Sequence, residues 1–219
     1  DSDDYVVEMF YGNRIAPGFF AWIIPLGDGR ARVGLAARDR ARERLDAAIR
    51  HHPIISARLR RAKTLKRMGG TVLTGGPVQK TYARALLVVG DAAGHVKATT
   101  GGGVIIGGGA AKIAGQVAAR AVMEQDNSET FLAKYERAWM SEYLLDLRAM
   151  YYAQRILGAM SDKGLDRLIG GVNRQGLTEV IHRTGDMDRQ GRVLLELLKQ
   201  PRSLALALSV VGCIHLAYL

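Results

Sequence analysis

The chain has 219 residues, 48% of them hydrophobic and 24% charged, enough to bury a real core in one or two domains. A single cysteine, Cys213, excludes an intrachain disulfide framework and suits a reducing, intracellular setting, and the opening Asp1-Ser2-Asp3-Asp4 has neither the basic nor the apolar region of a signal peptide. The net charge of +10 admits a nucleic acid, an anionic membrane or a phosphorylated small molecule as partner, while 6% aromatic residues argue against a stacking platform for single strands.

In chain order, the residues from Tyr5 to Tyr11 alternate loosely, and residues 19–25 are aromatic and β-branched. Gly27-Asp28-Gly29 then makes a tight turn before residues 31–36, which predicts a hairpin. Asp39 is placed to cap a helix running to about His51, where Pro53 stops it, and a second helical turn follows near residues 55–61. Positive charge is concentrated here, in Arg38, Arg40, Arg42, Arg44, Arg50, Arg58, Arg60, Arg61, Lys63, Lys66 and Arg67. Such a run reads as a solvated helix face with i,i+4 pairs, as a patch facing a membrane or a phosphate, or as a nucleic-acid surface. Residues 63–73 alternate enough for another strand, with Gly75-Gly76-Pro77 as punctuation.

Leu86-Leu87-Val88-Val89 reads as a buried strand that stops at Gly90, with the acidic Asp91 at its carboxyl end. Thr99-Thr100-Gly101-Gly102-Gly103 then opens a helix over residues 103–123. Successive glycines let backbone N–H groups approach a ligand, and a helix N-terminus favours negative charge by about 0.3–1 kcal/mol at exposed sites. Asp91 therefore either accepts hydrogen bonds from a sugar or ribitol hydroxyl or merely caps a turn. Further helices are predicted from Ser128, or Thr130, to about Met160, from Asp162 until Gly170-Gly171 and Gly176 interrupt, over residues 177–181, and from Gly185-Asp186-Met187-Asp188 to about Gln200. The apolar run from Leu204 to Leu219 has 16 residues, short of the roughly 20 that span a bilayer, and reads as a buried or interfacial helix.

The turn Gly90-Asp91-Ala92-Ala93-Gly94, with Thr99 to Gly103 and Ala114-Gly115, resembles the second FAD-contacting motif of the geranylgeranyl reductase family, within the group that holds para-hydroxybenzoate hydroxylase-like flavoproteins. Pro17-Gly18-Phe19-Phe20-Ala21-Trp22-Ile23-Ile24-Pro25 is similar to the family's P-x-x-Y-x-W-x-F-P motif, with Phe20 in place of the usual tyrosine and Ile24 in place of the usual phenylalanine. Gly185-Asp186-Met187-Asp188 resembles a C-terminal feature of archaeal members, which saturate the isoprenoid chains of membrane ether lipids. No G-x-G-x-x-G fingerprint precedes Gly90, so the chain is expected to be the C-terminal portion of such an enzyme, or one subunit of a split one.

The resemblance implies an α+β fold of the α/β FAD-binding, para-hydroxybenzoate hydroxylase-like type. It would comprise part of a Rossmann-type FAD domain, an antiparallel-sheet substrate domain and C-terminal helices. The divisions expected are a sheet-rich substrate and catalytic portion over 1–80, the end of the FAD domain over 81–125 and a helical region over 126–219. It further implies Asp91, Gly102, Gly103 and Val104 as FAD contacts, and Phe20, Trp22 and Pro25 as a wall for a geranylgeranyl-bearing lipid or diphosphate; Trp22 as ordinary core is the alternative. An external electron donor (a ferredoxin, NAD(P)H or F420), an anionic membrane surface and a cytoplasmic, peripherally membrane-associated location complete the implied setting, with no nucleic acid and no metal.

Three residues stay open. His95 is either a group titrating near neutrality beside the cofactor or a capping or solvent-facing histidine. Lys97 is either a phosphate contact or a surface lysine, and Cys213 reads as a small buried apolar residue. The proton donor for reduction is not assigned. A flavin-dependent monooxygenase or hydroxylase of the same fold group, and a non-catalytic membrane-binding fragment, are the rival readings; the isolated chain is expected to retain flavin weakly.

Overall fold

The computed structural model describes residues 6–186 and 188–214. Tyr5, Met187 and the end of the apolar run from His215 to Leu219, which entered the expectations above, lie outside the described residues. Among the described residues the chain forms five short strands, eight α-helices and one turn of 3-10 helix, an α+β fold as expected. The contacts separate it into two units: residues up to Gly70, Arg155–Gly170 and from Ser209 onward, and Thr71–Gln154 with Gly171–Leu208.

The first unit is built on an antiparallel sheet in the order β1 (Glu8–Tyr11), β2 (Phe20–Gly27), β3 (Arg30–Leu35). Asp28 and Gly29 both have positive φ, which is the mirror-image turn that fits the twist of a two-residue hairpin. Alternation along β2 sends Ala21 and Ile23 to one face, where they join Leu35, Ala48 and Ile55 in a core closed by α1 (Ala41–His51) and α2 (Pro53–Leu59). Pro53 does end α1, and it also begins α2, whose cap is His52: its Nδ1 accepts from the Ile55 N–H at 3.3 Å. Asp39 does not cap α1. Arg40 occupies that position in the left-handed region, and the Asp39 carboxylate is taken by Arg44 at 2.9 Å.

Residues 63–73 form no strand, and Leu65 and Met68 lie 82% and 76% exposed. Alternation without a neighbouring ladder has nothing to pair with. In the same unit Asp162 opens α5 (Asp162–Arg174) as expected; Ser161 caps it, its Oγ accepting from the Gly164 N–H, while Asp162 accepts from the Asn13 N–H at 2.6 Å. Met160, Leu165 and Val210 form a small core beside the Met160 to Ile214 bridge. Cys213 is half-buried rather than fully so, and its Sγ accepts from Arg167.

The second unit centres on α3 (Val104–Met123) and the residues up to Gln154 of α4 (Glu129–Ala159). Ile106, Ala110 and Ala114 of α3 meet Tyr135, Trp139, Leu147 and Met150 of α4, and Gly109 leaves room for the Tyr143 ring. Small residues on one helix thus face large ones on the other, the complementarity that lets two helices approach closely. Ser128 caps α4 as expected, accepting from the Phe131 N–H at 3.2 Å. The expected buried strand at residues 86–89 is only partly realised. β5 (Leu86–Leu87) pairs antiparallel with β4 (Tyr82–Ala83), and Leu86 is 52% exposed.

Thr81 and Val88 fasten that hairpin to α4. The Thr81 N–H and Oγ1 both donate to Glu136, Thr81 Oγ1 accepts from Trp139 Nε1 at 2.9 Å, and the Tyr135 hydroxyl donates to the Val88 carbonyl at 2.8 Å. Burial pushes the Tyr135 phenol up to about 12, so it remains a donor. The Gly170-Gly171 pair does not interrupt α5, which runs to Arg174. Glycine suits position 171 because a side chain there would collide with Leu206 of α8 (Pro201–Val211). Gly176 does break the chain, at φ +68, before α6 (Leu177–Thr184), and α7 (Gln190–Leu198) follows. None of the helices among the described residues is long and apolar enough to cross a membrane.

Candidate functional site

In the second unit, extended chain through Val89 ends at Gly90, whose φ of +71 starts the 3-10 turn Gly90–Ala93. Gly94 closes the turn at φ +72, its N–H donating to the Asp91 carbonyl at 2.9 Å. A side chain at Gly94 would strike the Gly76 carbonyl, so both the dihedral and the space demand glycine. The turn presses against the start of α3 because two facing positions lack side chains. A Cβ at Gly103 would lie 2.8 Å from Asp91 Oδ1, and one at Gly107 would lie 3.3 Å from the Gly90 Cα.

Gly103, at the N-cap of α3, has no side chain with which to cap the first-turn amides. Asp91 is exposed, and Val104 and Ile105 are 87% and 59% exposed. The structure therefore brings Asp91, Gly103 and Val104 to one place: a solvent-facing carboxylate, a helix start without a side-chain cap and two largely exposed aliphatic side chains. Gly102 sits in the same loop. Its carbonyl accepts from the Lys97 N–H at 3.0 Å, and its N–H reaches Thr100 Oγ1 at 3.4 Å.

His95 is neither solvent-facing nor a helix cap. The ring is fully buried, tilted against Trp139 with centroids 4.6 Å apart, and its Nδ1 accepts from the Gly90 N–H at 3.2 Å. Accepting at Nδ1 puts the proton of the neutral ring on Nε2, a buried atom with no hydrogen-bond partner among the described residues. Loss of water lowers its pKa to about 4, so the ring is uncharged at neutral pH. Lys97 is not a surface lysine. It is buried, with its ammonium 2.7 Å from Asp188 Oδ1. The motif residue Asp188 is thereby a partner of the glycine-rich loop, a link that 91 positions of separation hide from the sequence.

In the first unit, the face of β2 opposite its core carries a cluster of rings. Phe20 is buried, lying 5.3 Å from Tyr11, 5.4 Å from Phe19 and 5.6 Å from Trp22 between centroids. Trp22 is half-buried and outside the core cluster; its indole lies over Gly34, its partner on β3, where a side chain would clash with the ring. Pro25 is half-buried at the bulge between β2 and β3. Tyr11, which sequence reasoning did not single out, is the cross-strand partner of Phe20 and places a phenol beside the position that lacks one. The pairing register, once β1 was assigned, was the signal that exposed it.

No family model matches the chain. A solved geranylgeranyl bacteriochlorophyll reductase-like protein from Thermoplasma acidophilum superposes with a TM-score of 0.76 over 96% of this chain and 52% of that one, at 22% identity, which establishes a shared fold. In sequence, the chain is 37% identical to digeranylgeranylglycerophospholipid reductase of Methanocaldococcus jannaschii over 76% of its own length and 43% of the relative's. It is 34% identical to digeranylgeranylglycerophospholipid reductase 2 of Methanothermobacter thermautotrophicus over 82% and 46% respectively. The chain belongs to the geranylgeranyl reductase family, and it spans about half the length of the curated relatives it matches.

Proposed function

We propose that this chain supplies one side of an FAD site and a prenyl-facing wall of a reductase that saturates C=C bonds of geranylgeranyl chains in archaeal ether-lipid synthesis. The observation that carries the reading is the exposed Asp91 carboxylate seated against side-chain-free Gly103 at the mouth of α3, a cradle that any Cβ would fill. Asp91 would accept hydrogen bonds from ribityl hydroxyls. Gly103 and Val104 would offer backbone amides to the pyrimidine end of the ring system, where the helix N-terminus favours negative charge, and Gly102, whose own N–H meets Thr100 Oγ1, would let the ring approach the backbone closely.

Reducing an isolated C=C needs a hydride on one carbon and a proton on the other, and FAD, when bound, supplies the hydride. The chain's own residues orient and exclude water. Phe20 and Trp22 offer an aromatic surface with few polar atoms, which suits an isoprenoid chain whose binding rests on apolar area, while Pro25 alternates to the other face of β2 and would reach that chain only from the strand's end. His95 is not the proton donor: a ring with a pKa of about 4 carries no proton to give as imidazolium at neutral pH.

The substrate of the whole protein is then a geranylgeranyl-bearing lipid or diphosphate, reduced at the expense of an external donor such as a ferredoxin, NAD(P)H or F420. Peripheral contact with an anionic membrane fits α8, which exposes Leu204, Leu208 and Val211 while burying Leu206 and Val210, beside the cationic Lys199 and Arg202. The deciding experiment is anaerobic. Full-length protein reduced with dithionite should saturate a geranylgeranyl lipid, with the product mass rising by two for each double bond. Oxygen-dependent hydroxylation instead, or liposome binding with no flavin band near 450 nm, would replace the reductase reading.

A further inference from the structure

The loop from Gly94 to Gly103 must hold a fixed shape to present Asp91 and the α3 amides, yet its composition resists that. Gly94 and Gly101 sit at positive φ and two more glycines follow, so the segment has many conformations to lose on ordering. Lys97 is its hinge. The Lys97 N–H donates to the Gly102 carbonyl, the Lys97 carbonyl accepts from Thr100 and Gly101, and the Lys97 Cε would lie 3.1 Å from a Cβ at Gly102. The Lys97 side chain thus folds back beside Gly102, to which its own backbone is bonded.

What holds that side chain is the segment joining α6 to α7. Asp188 meets the ammonium at 2.7 Å, and the Thr99 hydroxyl donates to Gln190 two positions further on. The segment is itself fixed. The Asp186 carboxylate accepts from the Asp188 N–H at 2.8 Å and the Arg189 N–H at 3.1 Å, so Asp188 leaves a turn of set geometry. Arg189 grips α4 through the Glu142 side chain, the Glu142 carbonyl at 2.7 Å and Asp146 at 3.3 Å. Gly191 allows that approach, since a Cβ there would lie 2.5 Å from Asp146 Oδ1. All of these residues lie in the second unit. Alternating contacts of Asp188 and Gln190 to the loop, and of Arg189 and Gly191 to α4, make the segment a two-sided clasp.

Building on the FAD reading above, we propose that Asp186 and residues 188–191 form a latch that sets the cofactor loop, with Asp188 as a positioning residue acting through Lys97. The Lys97 side chain is 11% exposed, so an unpaired ammonium there is costly, and the carboxylate that neutralises it also fixes where it lies. An apolar pair of similar size would relieve the charge without fixing the point.

Three variants of the full-length protein separate the two roles: Asp188→Asn, Asp188→Glu, and Lys97→Met combined with Asp188→Leu. Amide exchange across residues 97–106 is measured without flavin, alongside the FAD dissociation constant and Tm. Asp188→Asn should exchange about tenfold faster there and bind FAD about tenfold more weakly. Asp188→Glu should recover most of both. The apolar double variant should keep wild-type Tm yet retain the fast exchange and the weak binding. Wild-type exchange in Asp188→Asn, or wild-type exchange and FAD affinity in the double variant, would overturn the latch. Wild-type protein that binds no FAD would overturn the cofactor reading instead, and the flavin-free exchange data would still judge the latch.

Discussion

His95 should make stability depend on pH in a window where few other groups act. In the unfolded chain the imidazole takes a proton below about pH 6.5, whereas the native ring, buried and lowered to about 4, does not. Between those values the unfolded state binds the extra proton, so stability is complete above pH 6.5 and is lost as pH falls toward 4. Each pH unit in the window is worth about 1.36 kcal/mol, so about 2 kcal/mol is gone by pH 5 and about 3 kcal/mol by pH 4. His95→Gln keeps an acceptor for the Gly90 N–H and cannot titrate. Urea unfolding of both proteins at pH 7.5 and 5.0 should show the wild type losing about 2 kcal/mol more than the variant, the other histidines cancelling. Equal losses would mean the native ring is readily protonated, and its assignment as a neutral acceptor would fail. Function should follow a different curve. The native turn is intact until the ring itself charges and Nδ1 becomes a donor facing the Gly90 N–H, so FAD affinity should stay level to about pH 5 and fall only on approach to pH 4.

Gly103→Ala should act on binding more than on folding. Its Cβ meets the end of an exposed Asp91 side chain that can swing away and comes within 3.2 Å of the His95 carbonyl, which need give by only a few tenths of an ångström, so Tm should fall by a few degrees at most. FAD affinity, by fluorescence quenching, should fall about 10- to 150-fold, the value of the about 1.5–3 kcal/mol hydrogen bond to a charged group that displacement removes. Gly34→Ala should push the Trp22 indole off its seat without deleting it, and so reproduce the rise in KM for a geranylgeranyl substrate expected of Trp22→Ala. Trp22→Ala should also cost about 2 kcal/mol in denaturant unfolding, because the ring is only half-buried. Normal KM in both would remove Trp22 from the substrate wall.

Local features were legible wherever the chemistry is local. The Asp28-Gly29 hairpin, the Ser128 cap, the break at Gly176 and the helix opening at Val104 each depend on residues within a few positions, and each stands where the sequence places it. Asp39 misled because a carboxylate next to a helix start has two uses, and Arg44 took it before the backbone could. Gly170-Gly171 misled because the cost of glycine inside a helix, about 1 kcal/mol each, was weighed without the neighbour that offsets it, the Leu206 side chain lying where a Cβ would be. Burial was the least legible property of all. Nothing near His95 or Lys97 announces that Trp139 covers one and Asp188 neutralises the other, since both partners arrive from elements far along the chain.

Those two residues also explain why motif reading alone blurs the division of labour at the turn. Within the 14 positions from Asp91 to Val104 the segment interleaves groups that hold its shape with groups that face outward. His95 and Lys97 are buried and spoken for, while Asp91 and Val104 are exposed and have no packing to lose. A substitution in the first set leaves a buried donor, acceptor or charge without its counterpart, so it must lower stability and cofactor affinity together. A substitution in the second set changes only what solvent or a ligand touches, so affinity should fall with Tm unmoved. An alanine scan over residues 90–106 therefore discriminates between the readings. If the exposed positions lower Tm as much as the buried ones, the turn is a structural corner and the flavin belongs elsewhere. If the two sets separate, Asp91 and Val104 are the face that meets the cofactor.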